Sequence, residues 1–279
     1  MAKSNEYKEW VTGVFDRSSD SYDHVGPRFF TYFGRGLVEF SEIRAGARLL
    51  DIACGRGAVL IPASEKIGKS GEVIGIDISS GMVTRLENDL KHLEISNATV
   101  IRMDAEDLQF QSLSFDYVLC GLALFFFPDL NVALNEFFRV LKPGAHLVVS
   151  TLEGAETPWR DSLLEVRKSY RERLASAPIM DTKDLDREEE VVEELEAVGF
   201  VEIEHMIDSY QFSFRDETEW WEAQWSIFHR AFMERLDSDS LKEYKREVTN
   251  IVRECKNDKG IQINYSVRYS RAKKPVISK

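Results

Sequence analysis

The stretch Leu49-Leu50-Asp51-Ile52-Ala53-Cys54-Gly55-Arg56-Gly57 decides the fold. An apolar run of strand length ends in an acid, and a glycine-bearing turn then opens a helix. Glycines let backbone approach a ligand closely, and open α/β sheets bind ligands beyond the carboxyl ends of their parallel strands. A ligand site is expected at this turn. Downstream the pattern recurs. Short β-rich runs at 48–52, 73–77, 99–102, 116–120 and 145–150 alternate with helical stretches, as in a parallel sheet wrapped by helices.

Two further acids follow strands. About twenty residues past Gly57, Gly75-Ile76-Asp77 ends the second run with a carboxylate placed to accept hydrogen bonds from both hydroxyls of a ribose. Asp104, in Met103-Asp104-Ala105-Glu106-Asp107, follows the third run, where it is able to accept from an exocyclic adenine amine. Any one of these acids is equally well a turn residue or a helix N-cap. Their joint order and spacing point to a ligand containing a nucleoside.

Outward from this centre, residues 1–45 carry Trp10, Val14, Phe15, Phe29, Phe30 and Phe33 at helical spacing, punctuated by Gly26-Pro27, and read as a helical N-terminal arm or lid. A helix near 131–140 is expected to stop at Leu141-Lys142-Pro143-Gly144, ahead of the fifth strand. Helices are expected at 158–175 and 187–198, the second closed by Gly199. The acidic run from Asp184 reads as the solvated face of that second helix, since Val191, Val192, Leu195 and Val198 keep helical spacing. Extended stretches at 201–214 and 261–271 flank a long helical segment, 216–256, rich in tryptophan and phenylalanine. The expected organisation is an arm at 1–45, a core made of 46–215 and 260–274, and a helical cap inserted at 216–259.

Together these residues resemble the class I methyltransferases, whose turn reads strand, acid, x, Gly, x, Gly, x, Gly. The resemblance covers about residues 10–150. Within the class it is closest to the branch of ubiquinone/menaquinone and natural-product methyltransferases, through Phe15-Asp16-Arg17 with Tyr22-Asp23, Asp77-Ile-Ser-Ser-Gly-Met82, Phe115-Asp116-Tyr-Val118 and Arg139-Val-Leu-Lys-Pro-Gly144. It implies a doubly wound, mostly parallel, seven-stranded Rossmann-like sheet with an antiparallel last strand and a helical cap. It also implies S-adenosylmethionine as cofactor. Asp51 and the turn Ala53, Gly55, Gly57 would then surround the methionine part. Asp77 would hold the ribose, Ile78 and Met82 would lie near the adenine, and Asp104 with Ala105 would meet its amine edge. Tyr22 would cover the site from the arm, and backbone from Cys120 to Leu122 would meet the methionyl amine. The sequence departs from the family at Ala53, which stands for the first glycine and is tolerated if φ is negative there. It departs again at Leu124-Phe125-Phe126-Phe127-Pro128, an apolar run where relatives often carry histidines.

Composition narrows the partners. A net charge of −12 without a basic, aromatic-interleaved block argues against nucleic acid. No apolar run reaches membrane-span length and the first residues carry no signal-peptide core, so a cytoplasmic protein without membrane insertion is expected. Three scattered cysteines read as reduced thiols, and neither they nor the five histidines have metal-ligand spacing. A homodimer is allowed by the sequence but not written in it. A dinucleotide-dependent dehydrogenase needs a third glycine three residues after Gly57, where Leu60 stands, and no nucleophile elbow supports a hydrolase.

Methyl transfer is an in-line displacement in which protein mainly aligns the partners and excludes water, so a dedicated base is dispensable. Where one is needed, His24 and His229 are the candidates; each also reads as a surface or packing histidine. The aromatic set Trp220, Trp221, Trp225, Phe228 and Phe232 reads as core packing, or as an apolar lid over a flat aromatic or prenylated small-molecule acceptor. A different class of function uses the same binding residues: a protein that binds S-adenosylmethionine without transferring its methyl, as a scaffold or rearrangement catalyst.

Overall fold

The computed structural model describes residues 2–156, 159–174 and 185–276. Its elements run in the order α1 (Ala2–Ser18), α2 (Phe29–Phe40), β1 (Arg48–Ile52), α3 (Leu60–Ile67), β2 (Glu72–Asp77), α4 (Ser80–His92), β3 (Ala98–Arg102) and β4 (Phe115–Gly121). They continue with α5 (Leu130–Val140), β5 (Leu141–Glu156), α6 (Arg160–Arg171), α7 (Glu188–Val198), β6 (Val201–Phe214), α8 (Glu217–Ser226), α9 (Arg230–Met233), α10 (Ser238–Glu254) and β7 (Ile261–Lys273). The seven strands form one sheet in the order β3-β2-β1-β4-β5-β7-β6. β1 pairs in parallel with both β2 and β4, so the chain winds first to one side of β1 and then to the other. That reversal beside β1 is the switch point at which open sheets take their ligands. Side-chain bonds His205 to Ser270, Arg271 to Glu204 and Lys273 to Glu202 pair rising with falling numbers, which makes β6 and β7 antiparallel.

Two compact units emerge. One comprises Met1–Phe29, Gly154–Met180 and Ser209–Ser266; the other comprises Phe30–Glu153, Asp181–Asp208 and Val267–Lys279. The second, the sheet unit, is cored by Leu50, Ile52, Ile74, Ile76, Val118, Leu147 and Val149 beneath Phe137 of α5 and Leu195 of α7. Its central strands are apolar almost throughout, as burial on both faces requires. The first, the helical unit, is cored by Trp220, Trp221, Phe232, Met233, Tyr244 and Val248. Among the described residues, no helix is long and apolar enough to cross a membrane.

Three local expectations are corrected. Lys142-Pro143-Gly144 does not precede the fifth strand but lies inside it. β5 pairs Leu141 with Phe115, slips register, and resumes with His146 opposite Tyr117, Gly144 taking φ +79° in the bulge. Proline and glycine are tolerated in strands at such bulges. The segment 216–256 is not continuous. Asp216 caps α8 by accepting from the Thr218 and Glu219 amides, and Asp237 caps α10 in the same way, so each acid starts a fresh helix. The helix expected over 158–175 is α6, two residues later in starting; residues 158 and 175, like Asp184 at the head of the acidic run, lie outside the described residues.

Candidate functional site

The site is assembled where β1, β2 and β4 end together. Asp51 stands opposite Gly75 and Leu119, and Ile52 opposite Ile76 and Cys120. Past Ile52 the chain turns sharply: Ala53, Gly55 and Gly57 all have positive φ, at 51°, 50° and 82°. Ala53 therefore does not take the negative φ its side chain prefers. A left-handed residue with a Cβ costs about 1–2 kcal/mol, a strain the surrounding bonds must hold. The Cys54 amide donates to the Ile76 carbonyl at 2.9 Å, and the Gly57 amide to the Cys54 carbonyl at 2.8 Å. At Gly57 a Cβ would stand 2.6 Å from Leu86 Cδ1, so only glycine fits both backbone and space.

Asp77 is the second anchor. Its Oδ2 accepts from the Gly55 amide at 2.9 Å, and its Oδ1 from the Ser79 amide at 2.8 Å. Ser79 also caps α4, its hydroxyl accepting from the Met82 amide at 3.1 Å; this places Ile78 and Met82 at the edge beside Asp77. The Met103 amide donates to the Asp77 carbonyl at 3.0 Å and brings in the end of β3. Asp104 follows directly and accepts from the Glu106 amide at 2.9 Å, with Ala105 buried between them.

Beyond β4, Leu122 is buried with φ +52°, and its amide donates to the Ser150 hydroxyl at 3.0 Å. This second left-handed residue is pinned by a contact that sequence reasoning missed. A serine inside a strand carries no distinctive signal, although Ser79, three residues before Met82, has N-cap spacing that could have been read. The apolar run past β4 forms a 3₁₀ turn at Leu124–Phe126, with Leu124 buried.

Electrostatics sharpen the picture. Asp51 is 1% exposed, and neither of its carboxylate oxygens closes a hydrogen bond. Burial and then the neighbouring Asp77 push its pKa well above the ordinary aspartate range, and the Leu60 amide, which closes no hydrogen bond to it, draws it back only in part. Burial, with Asp51 adding to it, also raises the thiols of Cys54 and Cys120, holding both neutral. An uncompensated buried acid is expensive, and a cation relieves it.

Asp51, Ala53, Gly55, Gly57, Asp77, Ile78, Met82, Asp104, Ala105, Cys120 and Leu122 thus share one edge of the sheet unit. Tyr22 belongs to the helical unit, where its ring meets Phe15 at 6.1 Å. The two histidines are there also. His24 is exposed, its Nδ1 2.8 Å from the Tyr22 carbonyl, while His229 Nε2 lies 3.0 Å from the Tyr244 hydroxyl. Burial, reinforced by Arg167 and Arg171, pushes the His229 pKa well down. Among the described residues no group of three acids, histidines or cysteines gathers to hold a metal.

A parallel sheet whose switch point gathers acids from three strand ends, one of them buried without a hydrogen bond, defines an α/β protein with a ligand edge at the ends of these strands. The chain belongs to the methyltransferase domain family, whose model matches residues 43–225, and so to the Rossmann-like enzymes that use S-adenosylmethionine. Aklanonic acid methyltransferase DauC of Streptomyces sp. (strain C5) is 41% identical over 149 residues, which are 53% of this chain and 68% of that enzyme. Demethylmenaquinone methyltransferase of Staphylococcus carnosus is 36% identical, over 53% of this chain and 62% of its own length. The Bacillus subtilis YcgJ protein shares the fold, with a TM-score of 0.59 at 20% identity, over 88% of this chain and 99% of the other.

Proposed function

We propose that this chain transfers the methyl group of S-adenosylmethionine to a small, apolar or aromatic metabolite. The observation that carries the reading is Asp51, a buried carboxylate with no hydrogen-bond partner beside a second acid. It fits a cofactor that brings positive charge, and it opposes the pyrophosphate of a dinucleotide. When bound, S-adenosylmethionine supplies an activated methyl on a sulfonium, so the protein needs to align and desolvate rather than activate.

The residues divide the work by position. Asp51 and the turn through Ala53, Gly55 and Gly57 serve the methionine part, and backbone from Cys120 to Leu122 serves its amine. Asp77, placed by the Gly55 and Ser79 amides, serves the ribose hydroxyls. Ile78 and Met82 flank the adenine, and Asp104 with Ala105 meets its amine edge. Tyr22 joins this set on resemblance alone. His229, its pKa held well down by burial and then by Arg167 and Arg171, is neutral at neutral pH, and no catalytic role is assigned to it. The aromatic content of the helical unit, with the names of the two enzymes above, supports a quinone- or polyketide-like acceptor.

The test is turnover. The protein is incubated with S-adenosylmethionine and a panel of hydroxylated quinones, anthraquinones and polar amines, and S-adenosylhomocysteine is quantified. Release dependent on an aromatic acceptor supports the reading. Cofactor binding without any S-adenosylhomocysteine would favour a protein that binds but does not transfer, and turnover with polar amines alone would overturn the apolar acceptor.

A further inference from the structure

The strap of residues 104–114, which joins β3 to β4 within the sheet unit, is laid along α5 from one end of the helix to the other. At its start the Asp104 carboxylate accepts from the Glu106 amide at 2.9 Å and the Asp104 carbonyl from the Asp107 amide at 3.2 Å, so Asp104 moves with the residues that follow it. Glu106 reaches the head of α5, its Oε1 accepting from the Asp129 amide at 2.9 Å. Near the far end Arg139 donates to the Leu108 carbonyl at 2.8 Å, to the Phe110 carbonyl at 2.7 Å and to the Ser112 hydroxyl at 3.3 Å. Glu136, one turn before Arg139, accepts from the Leu108 amide at 3.0 Å and holds the guanidinium at 2.7 and 2.6 Å. The Leu113 and Ser114 amides then donate to the Arg139 and Val140 carbonyls at 3.0 and 2.8 Å, using acceptors that the end of a helix leaves without an internal partner.

Packing alone does not fix this course. Ala105 and Leu108 are buried and the Phe110 ring meets Phe115 at 5.2 Å, which sets the depth of the strap, but apolar contact has no direction. Between strap and helix lies an open groove of about 820 Å³, lined by Gln109 and Gln111 of the strap and Asn131 and Asn135 of α5. The Arg139 and Glu136 side chains are 33% and 21% exposed, so their mutual attraction is screened and contributes little by itself. Their value is geometric. A planar fork and a carboxylate together engage the amide and carbonyl of Leu108 and the carbonyl of Phe110, which sets the position of the strap along the helix. A hydrogen bond stretched by about 0.7 Å is lost, so an acid at the head of the strap depends on that position.

We propose that Arg139 and Glu136 are positioning residues for adenine recognition: without touching the cofactor, they hold the strap where Asp104 meets the exocyclic amine. The inference rests on the reading that Asp104 and Ala105 meet the adenine of S-adenosylmethionine. Its test compares S-adenosylhomocysteine with S-inosylhomocysteine, in which a carbonyl replaces that amine, by calorimetry on the full chain. The wild type should prefer the adenine compound at least about tenfold, since in the other Asp104 loses a donor and faces an oxygen. In Arg139→Ala the ratio should fall to within about threefold, while the affinity for S-inosylhomocysteine itself changes less than about threefold. General damage to the fold would weaken both compounds and leave the ratio where it was. Glu136→Gln, which keeps an acceptor for the Leu108 amide, should retain most of the preference, and Glu136→Ala should lose it. The wild type gives a second readout that needs no variant. Coupling is reciprocal, so S-adenosylhomocysteine should slow hydrogen exchange at the Leu108, Leu113 and Ser114 amides at least about threefold more than S-inosylhomocysteine does at equal saturation. Equal affinity of the wild type for the two compounds, an unchanged ratio in both Arg139→Ala and Glu136→Ala, or equal exchange with the two would overturn the proposal, while S-adenosylhomocysteine binding kept the cofactor reading intact. No binding of either compound to the wild type would instead overturn the cofactor reading, and the proposal with it.

Discussion

The Asp77 carboxylate accepts the Gly55 amide at 2.9 Å, and this one bond ties the acid at the end of β2 to the turn that follows β1. Asp77 thereby braces the strained turn, and in the proposed reading it also faces the ligand. Asp77→Ala should weaken S-adenosylmethionine binding about 10–150-fold, since a hydrogen bond to a charged group contributes about 1.5–3 kcal/mol. Calorimetry on the variant checks this. Asp77→Asn, which keeps one acceptor, should fall between the two.

Asp51 makes a prediction that depends on pH. Its folded pKa is raised, so the fold favours the protonated form; the associated stability is fully present below the ordinary aspartate value near 3.8 and is lost as pH rises through the folded pKa. Asp51→Asn mimics the neutral form. The ligand-free variant should be more stable than the wild type at pH 7 by about 1–3 kcal/mol, with the gain shrinking as pH falls toward 4. Urea denaturation across this range measures it. A wild type more stable than the variant at pH 7 would mean that Asp51 has a compensating partner.

Ala53 carries strain that glycine would remove. With φ at +51°, Ala53→Gly should raise the urea midpoint by an amount equivalent to about 1 kcal/mol, the left-handed penalty less the entropy glycine adds to the unfolded chain. A lowered midpoint would contradict the account of the turn.

Much of this was legible in the sequence, and the reasons are specific. The run from Leu49 to Gly57 stood out because a buried parallel strand must be continuously apolar and its ligand turn must be small. Asp77 and Asp104 could be placed because the βα repeat fixes where strands end. Ala53 misled, since composition alone does not give the sign of φ; the Cys54 and Gly55 bonds that impose it join residues of different strands. Pro143 and Gly144 read as a stop, but a parallel strand with a neighbour on each side tolerates them as a bulge. Ser150 was invisible because its role is to meet the Leu122 amide, 28 residues earlier in the chain.

The central claim, that the acids at the strand ends receive S-adenosylmethionine, is tested most directly by calorimetry of the wild-type protein against S-adenosylmethionine and NAD at pH 7.5. Saturable binding of S-adenosylmethionine, abolished in the Asp51→Ala/Asp77→Ala double variant and accompanied by no heat with NAD, is the expected result. Preference for NAD, or S-adenosylmethionine binding that survives loss of both acids, would contradict it.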